Sequence, residues 1–286
     1  MLTETFHSLG AATRNVFRNW QSLLLIAAVY ASLLALLYLF VSVKEATLAQ
    51  VTLTFAFAVA APLLFFILQA MIASGSARQI AGESTTQTDR VTAGFVLKRS
   101  LTIFWKLILI SLPLIALAIL IAYLLARAQN HFGQSTERVV NLPHSLATTA
   151  NAQHAVRPID WKVALFSTLL YLSFGLVLPL AAIHLWLATV RDGLGGAIRR
   201  IATLLSRAFA PQSVLIYIVG FLIFAVAPYF LLFRTTQTRH AWLELSLLVA
   251  RLAVVFALTL MGWVITVRAL GLLSTNPPIP PANEAA

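Results

Sequence analysis

The chain contains no cysteine, which excludes disulfides, thiolate catalysis, cysteine-attached haem and thiolate zinc sites together. It is also poor in acid: 9 of its 286 residues are Asp or Glu, and all of them fall outside the long apolar runs. Proton- or cation-coupled transport usually needs a carboxylate at membrane depth, and none is present there. Charged residues of both signs make up 10% of the chain, well below the roughly 25% of soluble domains. Five of the six histidines lie in connections or near the chain's start and never approach metal-ligand spacing; His131, His144 and His154 stand ten or more residues apart.

What remains is apolar length. Hydrophobic residues form 60% of the sequence, concentrated in six runs of about 22–42, 52–73, 101–126, 163–190, 212–233 and 247–273. Each is near the ~20 residues that cross ~30 Å of hydrocarbon. The expected fold is therefore an all-α polytopic membrane helix bundle. Residues 1–21 lack a continuous apolar core and an A-x-A-like site, so they are no signal peptide. Leu2, Phe6, Leu9, Val16, Phe17 and Trp20 fall on one side at helical spacing, with His7, Arg14 and Arg18 opposite, which predicts an interfacial amphipathic helix. The connection 127–162 is polar and is expected as an extramembrane loop or short cap. Residues 274–286, STNPPIPPANEAA, are expected as a Pro-rich disordered tail.

The net charge of +11 follows membrane topology rather than a nucleic-acid face, because the basic residues cluster at run ends and in short connections. Arg14 and Arg18 precede the first run. Arg78, Arg90, Lys98 and Arg99 fill the second connection, and Arg191, Arg199, Arg200 and Arg207 the fourth, whereas the first holds only Lys44 beside Glu45. By the positive-inside rule both termini and the even connections are cytoplasmic.

Proline positions repeat. Pro62 and Pro179 lie in the second and fourth runs, Pro113 and Pro228 in the third and fifth; Pro62 and Pro113 flank one Gly- and Arg-containing connection, Pro179 and Pro228 another. A duplicated helical hairpin accounts for this, as does the commonness of proline in membrane helices. Each proline is expected to kink its helix and release carbonyls such as those of Ala58 and Gly175.

From Gly193 to Phe209 the pattern is that of a basic amphipathic helix, with Leu194, Ile198, Ile201, Leu205 and Phe209 on one face and Arg199, Arg200 and Arg207 on the other. These three arginines, with Arg14 and Arg18, are the candidate lipid-headgroup ligands. Gly193, Gly195 and Gly196 read as a bend, since neither a preceding strand nor a following Gly-Lys-Ser/Thr makes them a phosphate loop. His184 is the histidine deep inside a run, where it either ligates a haem or chlorophyll or bonds a neighbouring carbonyl or hydroxyl. Lys106, Arg251 and Arg268 are expected to snorkel to headgroups. Ser111, Ser167, Ser173 and Thr259 have neither base nor acid near them in sequence, so no catalytic residue is assigned.

Three blocks, FHSLGAATRNVFRNWQSLLLIAAVYASLLALLYLF, SARQIAG with AGFVLKRSLTIFWKLILISLPLIAL, and ATVRDGLGGAIRRIATLLSRAFAPQSVLIYIVGFLIF, cover about half the chain. In these the chain resembles a bacterial family of polytopic proteins related to the membrane domain of glycerophosphoryl diester phosphodiesterases. The resemblance implies a helical bundle in a bacterial inner membrane. In such phosphodiesterases catalysis belongs to a separate soluble domain, so it implies no catalytic residue here.

The expected role is thus a non-enzymatic, inner-membrane accessory or scaffold component, without a cofactor, that holds lipid or a membrane-protein partner. The alternatives are a transporter or flippase for an amphiphilic or anionic substrate, and a cofactor-contacting subunit of a respiratory or photosynthetic complex. The absence of cysteine makes the orientation directly testable. In intact cells an impermeant thiol reagent should label Ser135→Cys and spare Ser206→Cys; the reverse labelling would invert the topology.

Overall fold

The computed structural model describes residues 2–43, 47–80, 93–137, 161–234 and 240–274. Every element among them is helical: α1 (Leu2–Arg18), α2 (Trp20–Ser42), α3 (Leu48–Ile80), α4 (Ala93–Glu137), α5 (Trp161–Leu172), α6 (Leu178–Arg199), α7 (Ile201–Ala208), α8 (Pro211–Phe221), α9 (Ala227–Phe233) and α10 (Ala241–Leu273). A wide π-helical turn joins α5 to α6 at Ser173–Val177, and another joins α8 to α9 at Leu222–Val226.

Six stretches are long and apolar enough to cross a bilayer: Trp20–Ser42, Leu48–Ser76, Val96–Gln129, Ala164–Arg199, Pro211–Phe233 and Trp242–Leu273. The protein is an integral, multi-pass membrane protein of the all-α class. Large apolar side chains stand uncovered along these stretches, among them Phe55, Ile119, Tyr171, Phe230 and Val249. Such continuous apolar surface is stable where lipid, not water, is the solvent.

The third run outlasts its hydrophobic stretch. The segment 127–162 reads as a loop, yet α4 continues as a helix to Glu137. A helix satisfies its backbone hydrogen bonds internally, so it need not stop where the apolar residues stop. The rest of that loop, 138–160, and the tail from 275 lie outside the described residues, as do Lys44, Glu45 and Arg90 of the other connections.

The four prolines do not act alike. Pro62 and Pro113 sit inside α3 and α4, which continue through them as α-helix. Pro179 and Pro228 each follow a π turn by two residues, and there the ladder widens: Leu178 N–H donates to the Ser173 carbonyl and Ala227 N–H to the Leu222 carbonyl, five residues back. A proline ring clashes with the carbonyl four residues earlier, here Gly175 and Phe224, and one wide turn moves that carbonyl aside. The expected pairing of Pro62 with Pro179 and of Pro113 with Pro228 therefore has no counterpart in the local backbone.

The described chain forms two compact units, Met1–Ile110 with Leu180–Ala286, and Ser111–Pro179. The second comprises the later part of α4, α5 and the first π turn; Leu117, Ile119, Leu120, Leu165 and Leu169 are exposed along it. In the first unit α10 is the central helix, packed by α1, α3, α8 and α9. Its contact with α8 is unusually close. A Cβ placed on Gly220 would fall 2.0 Å from Thr266 Oγ1, and one on Gly262 would fall 2.9 Å from Phe224 Cβ. Gly220 thus opposes Thr266 while Gly262 opposes Phe224, the register of an antiparallel pair with small residues four apart on α10. Small residues let two backbones approach where no hydrophobic effect drives association. Thr266 Oγ1 donates to the Gly262 carbonyl at 2.6 Å, which holds the hydroxyl on its own helix.

Gly220→Ala should lower thermal stability in detergent by on the order of 1–3 kcal/mol through overpacking. Adding Thr266→Ala should recover part of that loss. An unchanged melting temperature for the single variant would show that the helices separate freely here.

Candidate functional site

The lengths and directions of the helices bring one end of each of several spans together in the first unit. α2 and α3 form a tight hairpin, joined by a connection of a few residues. Residues 69 and 75 of α3 meet residues 263 and 268 of α10, in that order, so these two run parallel. The start of α2 is consequently level with the end of α10. α6 and α7 join them there, because Arg191 Nη1 of α6 and Arg207 Nη1 of α7 both donate to the Ser274 carbonyl, at 3.5 and 3.4 Å. That carbonyl lies at the C-terminal, negative end of α10, where cations are favoured.

Arginine dominates this end. Arg14, Arg18, Arg191, Arg199, Arg200 and Arg207 are exposed or at the rim. Asp192 is the opposing carboxylate: Arg191 donates to it from Nε and Nη2 at 2.8 and 2.9 Å, and Arg200 Nη1 lies 3.8 Å away. Arg207 is also anchored through its backbone, since Ser213 Oγ donates to its carbonyl at 3.0 Å. Arg14, Arg18 and Arg199 are left to solvent or headgroups, as is Arg200 apart from its long contact to Asp192.

The segment 193–209 differs from a single amphipathic helix in two ways. Gly193 takes φ 76°, a left-handed conformation that favours glycine, so the expected bend is at that residue. A second break falls at Arg200, with φ −109° and ψ 17°, and divides the segment into the end of α6 and α7. The buried positions are Ala197, Leu204 and Ala208, whereas Ile198, Ile201 and Phe209 of the expected apolar face are exposed. The protein core therefore takes the side of Ala197, Leu204 and Ala208, and Ile198, Ile201 and Phe209 are turned outward beside the arginines. In α1, likewise, Ala12 and Val16 are buried while Phe17 is 60% exposed, and Trp20 at the start of α2 is 61% exposed.

A second set of polar groups is buried among the spans. Trp263 Nε1 donates to Gln69 Oε1 at 3.0 Å, tying α10 to α3, and the Trp263 ring meets Phe224 edge-on at 5.2 Å. His184 in α6 is 3% exposed and its Nε2 has no hydrogen-bond partner. The described residues hold no group of three His, Asp or Glu side chains fit for a metal ion, so nothing beside His184 completes a ligand set. Arg268 is also 3% exposed, contrary to the expected snorkelling. Its Nε and Nη1 are unpartnered, and its Nη2 would lie 3.3 Å from a Cβ on Gly75. Ser74, the residue before that glycine, is buried with an unpartnered Oγ. An uncompensated buried ion costs several kcal/mol. Arg251, by contrast, donates to the Arg234 carbonyl near the other end of α10.

Of the residues singled out from the sequence, Arg14, Arg18, Arg199, Arg200 and Arg207 gather at one end, and His184 is separate and buried. Gln69, Ser74 and Gly75 gave no such expectation. The run Ala73-Ser74-Gly75-Ser76 is the available signal for a close approach, and Gln69 is an amide inside an apolar run.

Comparison with known proteins adds no relative: no family model, no curated protein and no solved structure matches this chain.

Trp263→Phe removes the donor to Gln69 while keeping an aromatic ring against Phe224. It should cost about 0.6–2 kcal/mol in detergent unfolding, the range for interhelical hydrogen bonds in membranes. A double substitution with Gln69→Leu should cost less than the sum of the single changes.

Proposed function

We propose that this membrane protein is a non-catalytic component that holds anionic lipid at its arginine-rich end, as an accessory or scaffold within the bilayer. The observation that carries the reading is the juxtaposition of exposed Ile198, Ile201 and Phe209 with exposed Arg199 and Arg200 on two short helical pieces at the ends of spans. Apolar side chains in the acyl boundary and guanidinium groups at the phosphates are what an interfacial helix needs. Basic groups there contribute about 1 kcal/mol each toward anionic lipid. Four of them, Arg14, Arg18, Arg199 and Arg200, amount to a preference of roughly 10³-fold before screening and competition by salt.

The resemblance to membrane domains that accompany a separate phosphodiesterase domain supports a supporting role rather than chemistry. The positive-inside rule supports a cytoplasmic position for the arginine-rich end.

The test is lipid enrichment. In nanodiscs of mixed phosphatidylglycerol and phosphatidylcholine, native mass spectrometry of the full chain should find phosphatidylglycerol over-represented among retained lipids. Arg14→Gln, Arg18→Gln, Arg199→Gln and Arg200→Gln together should return the ratio toward that of the bulk. An equal enrichment in the quadruple variant would reject the reading.

A further inference from the structure

The surface arginines leave one cation unexplained. Arg268 lies six residues before Ser274, so its Cα is about 9 Å up α10 from the arginine-rich end. Its guanidinium keeps its charge at any physiological pH, because arginine cannot be deprotonated in a protein. Among the described residues no carboxylate meets it: Nε and Nη1 are buried without a hydrogen bond, and the carboxylate at the nearby end, Asp192, is held by Arg191 and Arg200. Its neighbour is the bare backbone of α3 at Gly75. Ser74 Oγ, on the same turn of α3, is a second buried donor with no partner. Two independent hydrogen-bond donors, one of them charged, thus stand unsatisfied on facing helices at one level of the bundle, where a buried donor normally has a partner.

We propose that Arg268 and Ser74, packed against the bare backbone of Gly75, form a buried oxyanion site between α3 and α10 that takes a phosphate group, supplied either by a lipid headgroup or as free phosphate. Guanidinium is the side chain best suited to a phosphate in a desolvated setting, since it is weakly hydrated and presents several N–H donors in one plane. A serine hydroxyl adds a neutral donor to a further oxygen. Glycine at 75 lets the guanidinium lie close on α3, since a methyl group there would stand 3.3 Å from Nη2 and press it aside by a few tenths of an ångström.

This site is distinct from the exposed arginines, and the experiment separates the two. The full chain is purified in a neutral maltoside detergent free of phosphate. Its melting temperature is followed against sodium phosphate, with sodium chloride at matched ionic strength as the control, and separately against phosphatidic acid. The wild type should be stabilised by at least one probe. Arg268→Gln should need at least tenfold more of it for the same rise, whereas the quadruple variant of Arg14, Arg18, Arg199 and Arg200 should retain the response. Stabilisation by inorganic phosphate identifies free phosphate as sufficient; stabilisation by phosphatidic acid alone identifies the lipid headgroup. Without either probe, Arg268→Gln should melt no lower than the wild type, since it removes an uncompensated charge. Should that variant fail to fold, Gly75→Ala and Ser74→Ala supply the same test through a weakened response. A wild type indifferent to both probes, or equal responses from wild type and the Arg268, Gly75 and Ser74 variants, would overturn the proposal.

Discussion

The approach of α10 to α8 is the contact on which the first unit depends. Lipid chains are as apolar as leucine, so two helices in a bilayer gain little by merely covering each other's side chains. They gain from close van der Waals contact, which requires that something be missing between them. Here the missing atoms are the side chains of Gly220 and Gly262, and Thr266 and Phe224 occupy the space. Trp263 extends the contact on either side, with its ring against Phe224 and its N–H on Gln69. Tyr30 of α2 meets Phe256 higher on the same helix, with ring centroids 5.1 Å apart. The last span in the chain is thus the one around which the earlier spans assemble, and assembly of the unit needs α10 to be in place.

The spans were legible because one solvent sets one length. Twenty apolar residues announce a crossing whatever they later touch, and the six runs agree with the six apolar helices of the structure to within a few residues at most ends. Their continuations were less legible. α4 passes smoothly from Ala126 into polar residues up to Glu137, and hydropathy cannot detect the end of a helix that leaves the membrane still hydrogen-bonded. The bend at Gly193 was readable as a bend, since a glycine cluster after a span marks a place where the backbone can turn left-handed. Which face of 193–209 would be buried was not readable. Periodicity reports that large apolar residues share a side, and in a soluble protein that side would be the core. Beside a membrane there are two apolar destinations, and Ala197, Leu204 and Ala208 took the protein while Ile198, Ile201 and Phe209 took the outside.

The same ambiguity governs the charges. Lys and Arg near a span end are assigned to snorkel by position alone, and Arg251 and Arg268 look equivalent in sequence. Arg251 reaches a backbone carbonyl near its end of the bundle, whereas Arg268 is enclosed because α3 presents a glycine at its level. The distinguishing residue, Gly75, is 193 positions away from Arg268 in the chain. Arg207 shows a milder version: grouped by sequence with the headgroup arginines, it is drawn to the C-terminal carbonyls of α10 and tied to α8 through Ser213. With one carboxylate among the described side chains at that end, the arginines are left to share helix termini and whatever anions the surroundings supply.

The two wide turns before Pro179 and Pro228 carry a consequence for how the spans came to be shaped. A π turn is equivalent to one residue inserted into an α-helix, so it shifts everything beyond it by about 100° around the axis. The residues of α9 therefore face directions they would not face if α8 had continued regularly through Pro228. The two halves of that span, α8 and α9, are in effect separately aimed. Gly220 can be pressed against α10 while Tyr229, Phe230 and Phe233 are turned out, 60–67% exposed. Both halves of the span pack on α10, yet each offers it a differently turned face, without a break in the hydrogen-bonded column.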